Sequence, residues 1–311
     1  MANPAASHPG KSSSRRWFEF TSRLKSNFQR VVGLLSLVVT AFVFIVWHEG
    51  NALIAPSLCE IGKLPADLPV APVQFPSSSG ATLHGWLVNG RTDKGVVILM
   101  HGIRANRLQM VGQAEFLFRE GYSVLLFDFQ AHGESVGKHI TAGYLESRDA
   151  AAAVGFIRQK FPGKKICVAG FSMGGAAAVL AEPPLPVDAM ILQSVYPTIE
   201  QAITDRLRSR FGWLGTLGTP CLTWQLKPRL GFGVHDLCPV RHVGKITVPK
   251  FFIAGTSDRD TTLPESQALF DAAAEPKQIW LVQDAGHVDM LSFAKNEFEK
   301  RVLDFLAKNL N

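Results

Sequence analysis

Ser172, Asp258 and His287 have the residue types, and the order along the chain, that nucleophilic catalysis requires. Ser172 lies in Gly170-Phe171-Ser172-Met173-Gly174, after a strand-length apolar run at 165–169 and before a small, helix-favouring run at 175–181. Small residues two before and two after the serine let the backbone double back, so the hydroxyl stands exposed at a strand's carboxyl end. The helix start that follows offers free backbone N–H groups to a developing oxyanion.

A serine nucleophile needs a base, and the base needs a group to orient it. Residues 248–254 read as a buried strand ending in Gly255-Thr256-Ser257-Asp258, which puts a carboxylate just past a strand end. Residues 278–282 read as another strand, followed by Ala285-Gly286-His287. Parallel strands align their carboxyl ends on one edge, so the three loops converge there despite their separation in sequence. Asp260, two residues beyond Asp258, has the same chemistry. Asp258 is the expected orienter because it follows Gly255 by three residues at the strand end, and Asp260 stays as its rival.

The elements around these residues resemble those of a serine hydrolase of the α/β-hydrolase superfamily, esterase- or lipase-like, from about Phe75 to Leu310. Residues 79–87 resemble the opening antiparallel hairpin. The run Val96 to Gly102 resembles the strand and His-Gly turn that carry half of the oxyanion hole. Residues 125–135, with Asp128, His132, Gly133 and Ser135, resemble the family's Asp-x-x-x-x-Gly-x-Ser loop. The chain order Ser, Asp, His is that of the superfamily.

The resemblance implies an α/β fold: a mostly parallel, eight-stranded type of sheet with helices on both faces and an inserted cap. It implies Ser172, Asp258 and His287 as catalytic residues, with the backbone N–H groups of Ile103 and Met173 as the oxyanion pair. It implies no cofactor and no metal, and residue spacing offers no metal cluster either. His101 is expected to be structural, and the 128–135 turn to be architecture. Arg104 and Arg107 read as solvated loop charges, with attraction of an acidic substrate as the alternative.

The expected function is hydrolysis of a carboxylic ester or related acyl bond in a small-molecule or lipid-like substrate. The same machinery serves peptides and thioesters. A non-catalytic membrane-tethered binding or scaffold protein is the reading from another class, and intact Ser, Asp and His argue against it.

Composition fits one globular domain: 311 residues, 47% hydrophobic. The formal charge of +6 is uneven. Lys11, Arg15, Arg16, Arg23, Lys25 and Arg30 precede the uncharged run Val31 to Trp47, against a single acid, Glu19. That placement argues for membrane topology, not nucleic acid. The expected organisation is a basic, disordered tail at 1–30, a transmembrane signal-anchor at 31–47, a proline-rich tether at 48–74 and a hydrolase domain at 75–311. A cleaved signal is the alternative for the apolar run. The basic side should be cytoplasmic, leaving a single-pass protein with its catalytic domain outside the cytoplasm.

Residues 198–243 interrupt the strand–helix alternation with glycines and large apolar groups, and form the expected cap. It would bind acyl chains, touch the bilayer, or pack as a lid, with Trp213 and Trp224 as candidate pocket residues. Cys221 and Cys238 fall within it and have the option of pairing in an oxidising compartment. Oligomeric state is not legible.

Overall fold

The computed structural model describes residues 12–310, apart from 63, 64, 66, 67 and 92. Two units are distinct, residues 1–50 and 51–311. Lys11 and the rest of 1–11 lie outside the described residues. The remainder of the expected tail is helical, as part of α1 (Ser12–Ile54). By length and composition that helix is able to cross a membrane from Arg16 onward.

The second unit opens with β1 (Ser57–Leu58), β2 (Val70–Pro76) and β3 (Thr82–Val88). β1 pairs with a later two-residue strand at 132–133, so the stretch expected to be a tether is partly built into the fold. Then come β4 (Val96–Met100), a short 3₁₀ turn (Arg107–Met110), α2 (Val111–Arg119), β5 (Ser123–Phe127) and β6 (His132–Gly133). The chain continues through α3 (Tyr144–Lys160), β7 (Ile166–Phe171), α4 (Met173–Leu180) and β8 (Ala189–Gln193). The insert holds α5 (Ile199–Phe211), a 3₁₀ helix (Gly212–Gly218), α6 (Thr219–Trp224), α7 (Leu226–Leu230) and α8 (Pro239–His242). Last are β9 (Lys250–Gly255), α9 (Leu263–Ala272), β10 (Lys277–Val282), α10 (Met290–Phe293) and α11 (Lys295–Leu310).

Eight strands form one sheet in the order β10-β9-β8-β7-β4-β5-β3-β2. β2, β3 and β5 pair antiparallel, and every other neighbour is parallel. The central strands are apolar throughout (Val-Val-Ile-Leu-Met in β4, Ile-Cys-Val-Ala-Gly-Phe in β7), as sheets covered on both faces require. One core packs α3 and α4 on one face through Ala153, Ile157, Ala177 and Val179. The other packs α2 and α11 on the opposite face through Phe116, Leu117, Phe298 and Phe305. α11 turns one stripe inward (Phe298, Val302, Phe305, Leu306), each full burial contributing about 1.5–3 kcal/mol.

The insert meets the domain through a carboxyl pair. Asp205 of α5 is buried, and its Oδ2 has no hydrogen-bond partner. Glu265 of α9 stands beside it; burial, then the neighbouring Asp205 carboxyl, pushes the Glu265 pKa up to about 7. Asp205 Oδ1 accepts from Arg208 Nη1 (3.4 Å), and a proton on Glu265 supplies the donor that Oδ2 lacks. Between pH 4.5, the ordinary Glu value, and about 7, the folded chain holds a proton that the unfolded chain releases. The pair's contribution is therefore full at the acid end and lost as pH rises through that window. Glu265→Gln is expected to match the wild type in melting temperature at acid pH and exceed it above neutrality. A difference between the two that stays flat across the window rejects the shared proton.

Candidate active site

Three loops meet at the carboxyl edge of the sheet. Ser172 bridges β7 and α4 with φ 50° and ψ −115°, a backbone conformation that a β-substituted residue holds only under strain. Its N–H donates to the Gln193 carbonyl (2.8 Å), which pins the turn to the end of β8. The flanking glycines are sterically required. A Cβ on Gly174 would stand 2.4 Å from the Met100 carbonyl oxygen, and one on Gly170 2.4 Å from the Gly175 nitrogen. The turn thus sits against the end of β4, where the Ile103 loop begins.

The other two loops are tied to each other. Ser257 N–H donates to the Ala285 carbonyl (2.9 Å), and a Cβ on Gly255 would stand 2.2 Å from that same oxygen. This contact brings Asp258 and His287 together: His287 Nδ1 lies 2.9 Å from Asp258 Oδ2. Asp258 Oδ1 accepts the N–H groups of Asp260 and Thr261, each at 2.9 Å, so the carboxylate is fixed from behind. Its side chain is 1% exposed, against 17% for His287. With Nδ1 facing a carboxylate, the imidazole proton belongs on Nδ1 and the lone pair on Nε2. The Phe171 ring, one residue before Ser172, lies 5.0 Å from the His287 ring, so the imidazole sits beside the serine turn. Asp260 turns elsewhere, to Arg206 at 3.8 Å.

The Ile103 and Met173 amides have no protein hydrogen-bond acceptor among the described residues. The Ile103 loop is braced on both sides. Gly102 N–H donates to Gln109 Oε1 (2.7 Å), and Arg104 N–H donates to His132 Nε2 (3.0 Å) with Arg104 at φ 60°. His101 is wholly buried; its Nε2 accepts the Phe129 N–H and its Nδ1 donates to the Gly102 carbonyl. Burial, then the neighbouring His132, pushes the His101 pKa down to about 3. Both ring nitrogens being engaged, His101 is neutral structure and offers no base.

Arg107 departs from expectation. Its side chain is 3% exposed, with Nη1 2.7 Å from Asp128 Oδ2, Nη2 on Glu134 and the guanidinium over the Trp86 ring. It is therefore neither a solvated charge nor available to a substrate, because the two acids of the 128–135 turn already neutralise it. Cys221 and Cys238 are free thiols. Trp213 is 73% exposed and lies apart from the cleft of about 750 Å³ in the insert, which Trp224 and Phe232 do line. A shared acyl pocket for both indoles does not form.

Sequence reading missed the polar links between the loops. Gln113 and Gln193 exchange side-chain amide hydrogen bonds (3.3 and 3.1 Å), and Gln113 also donates to Asp289 Oδ1 (3.2 Å), just after His287. The one available signal was Gln193, a polar residue closing the otherwise apolar strand Ala-Met-Ile-Leu-Gln. Among the described residues no cluster of three His, Cys, Asp or Glu side chains suits a metal ion.

Comparison with known proteins agrees with this architecture. A family profile described as "Serine aminopeptidase, S33" matches residues 91–231, a span that contains Ser172 and ends before Asp258 and His287. The esterase of Pyrococcus furiosus superposes with a TM-score of 0.69 at 27% identity, covering 83% of this chain and 99% of that one. The chain belongs to the α/β-hydrolase superfamily. As a member of the superfamily it also resembles the α/β-hydrolase domain-containing protein WAV2 of Arabidopsis thaliana, 25% identical over 89% of this chain and 93% of that one. Uncharacterized protein YqkD of Bacillus subtilis is 25% identical over 76% of this chain and 79% of its own length. Superfamily membership and the esterase neighbour support hydrolase activity.

Proposed function

We propose that this hydrolase cleaves a carboxylic ester through an acyl-enzyme on Ser172. The observation that carries the reading is the buried Asp258 held 2.9 Å from His287 Nδ1, beside a strained serine turn. His287 Nε2 takes the Ser172 proton as Oγ attacks the ester carbonyl carbon, and Asp258 stabilises the resulting imidazolium. The Ile103 and Met173 amides receive the oxyanion. As the tetrahedral adduct collapses, the imidazolium returns its proton to the leaving alkoxide. Water, deprotonated by the same imidazole, then attacks the acyl-serine and releases the acid, and Ser172 recovers its proton. No step calls for a cofactor.

The test is hydrolysis of p-nitrophenyl esters by the full chain, together with labelling by a fluorophosphonate probe. Absence of both rejects the reading and favours the non-catalytic scaffold. A second reading, cleavage of an N-terminal peptide bond, is favoured by the serine aminopeptidase profile. Faster turnover of aminoacyl p-nitroanilides than of esters decides for it.

The membrane anchor belongs to the same proposal. Supporting it are the apolar run Val31 to Trp47 behind six basic residues and a helix long enough to span. The protein is expected to stay in the membrane fraction after alkaline washing, with the hydrolase domain open to protease added outside intact cells. A mature N-terminus beyond Trp47 identifies a cleaved signal instead.

A further inference from the structure

The insert carries large apolar side chains outward, and for Trp213, Leu214 and Leu217 the reason lies in the period of one short helix. Three residues make a turn of 3₁₀ helix, so residues three apart share a row. In Gly212–Gly218 one row holds Gly215 and Gly218, the second Leu214 and Leu217, and the third Trp213 and Thr216. Gly215 and Gly218 face α5, whereas a Cβ on Gly212 would meet open space. A Cβ on Gly215 would stand 2.4 Å from the Leu207 carbonyl oxygen, and one on Gly218 3.5 Å from Leu207 Cδ1.

In this helix Gly215 and Gly218 thus do the packing, and Trp213, Leu214 and Leu217 are left in solvent. Phe211, Trp213, Leu214, Leu217 and Trp224 are 66, 73, 57, 67 and 73% exposed. A helix on a water-facing surface has the reverse arrangement. Five exposed side chains of this size within fourteen residues mark a surface built to be covered.

The charges beside the patch identify what covers it. From Arg206 to Arg229 there are five cations and no acid, and the acids Glu200 and Asp236 line the cleft beside Trp224 and Lys227. Arg206 pairs with Asp260, and Arg229 hydrogen-bonds Asn51. Arg208 reaches Asp205 Oδ1 at 3.4 Å from an exposed position, and Arg210 and Lys227 are exposed. A second copy of the chain would set these cations against their own kind across a self-complementary contact. An anionic lipid surface takes all of them: leucines and phenylalanine enter the acyl boundary, indoles sit at headgroup depth, and guanidinium and ammonium groups reach the phosphates.

We propose that the outward face of the insert, centred on Phe211, Trp213, Leu214, Leu217 and Trp224 and flanked by Arg208, Arg210 and Lys227, docks on the surface of an anionic phospholipid bilayer. This contact is additional to the N-terminal helix and does not depend on what the active site cleaves. It would hold the insert against the lipid, so amphiphilic molecules partitioned there would meet the domain at a raised local concentration.

The test uses the full chain in vesicles of phosphatidylcholine with phosphatidylglycerol, acyl chains brominated so that they quench tryptophan on contact. Trp213→Phe/Trp224→Phe is compared with the wild type, which cancels the indoles of the N-terminal helix. Brominated lipid is expected to remove about a third of the wild-type emission through these two of six tryptophans, and none of that share in the double variant. The share should shrink severalfold in phosphatidylcholine alone or at high salt. Leu214→Asp/Leu217→Asp should abolish it with an unchanged melting temperature, since both side chains are solvent-exposed. Two indoles that escape bromine and stay open to aqueous iodide overturn the proposal. So does equal quenching with and without the anionic lipid, or a dimer that buries the indoles without bromine contact.

Discussion

Ser172→Ala is expected to lower kcat for p-nitrophenyl esters about a million-fold, the loss that follows removal of a triad serine, while the protein melts where the wild type does. The local structure explains why the two effects separate. Ser172 sits at the N-terminus of α4, yet its side chain caps no helix N–H, so the hydroxyl contributes nothing there to stability. The strain is in the backbone, at φ 50°, and alanine inherits it unchanged. The turn is held by neighbours that the substitution leaves alone: the Gln193 carbonyl on the Ser172 N–H, and glycines whose Cβ positions are filled by other backbone atoms. A residual rate is expected, because the amides of Ile103 and Met173 remain to polarise a bound ester. Fluorophosphonate labelling should vanish completely, since that reaction needs the oxygen. A Ser172→Ala protein that still turned over esters at the wild-type rate would show that the chemistry lies elsewhere.

The features that the sequence made legible are those set by local rules. Continuous apolar runs became buried parallel strands, because a sheet covered on both faces leaves no position for alternation. The serine turn was legible because only glycine tolerates the contacts at 170 and 174. What stayed hidden depends on long-range partners. Arg107 read as a solvated loop charge because its two acids lie twenty-one and twenty-seven residues away. The braces on the Ile103 loop, Gln109 and His132, carry no spacing signal, and neither does the Gln113–Gln193 exchange across eighty residues. The strands β1 and β2 were masked by proline content that reads as a tether. β2 nonetheless holds Pro72 and Pro76, because it is an edge strand with only β3 beside it. In the insert, large apolar residues suggested a pocket. For Trp213, Leu214 and Leu217 the direction depends on a 3₁₀ period of three, which composition does not reveal.

Asp258→Asn is expected to lower kcat by roughly ten-thousandfold, and Asp260→Asn by no more than severalfold. From spacing alone the two acids differ by two residues in one loop, and geometry separates their roles. Asp258 Oδ2 faces His287 Nδ1 at 2.9 Å from a side chain 1% exposed. An asparagine there keeps its carbonyl oxygen on the N–H groups of residues 260 and 261, which fixes its amide NH₂ toward the imidazole. Nδ1 must then accept, the proton moves to Nε2, and the base presents a hydrogen to Ser172 where a lone pair is needed. Because the loop's own hydrogen bonds survive, the melting temperature should change little and KM should stay near the wild-type value. Asp260 reaches the site only through its backbone N–H, which substitution spares. Its carboxylate instead meets Arg206 at 3.8 Å, both side chains about a third exposed, and such a pair contributes about 0–1 kcal/mol. Measuring kcat, KM and melting temperature for both variants distinguishes positioning from damage to the fold. If Asp260→Asn proved the more harmful in kcat, the orienter would have to be reassigned and His287 would need a different rotamer to remain the base.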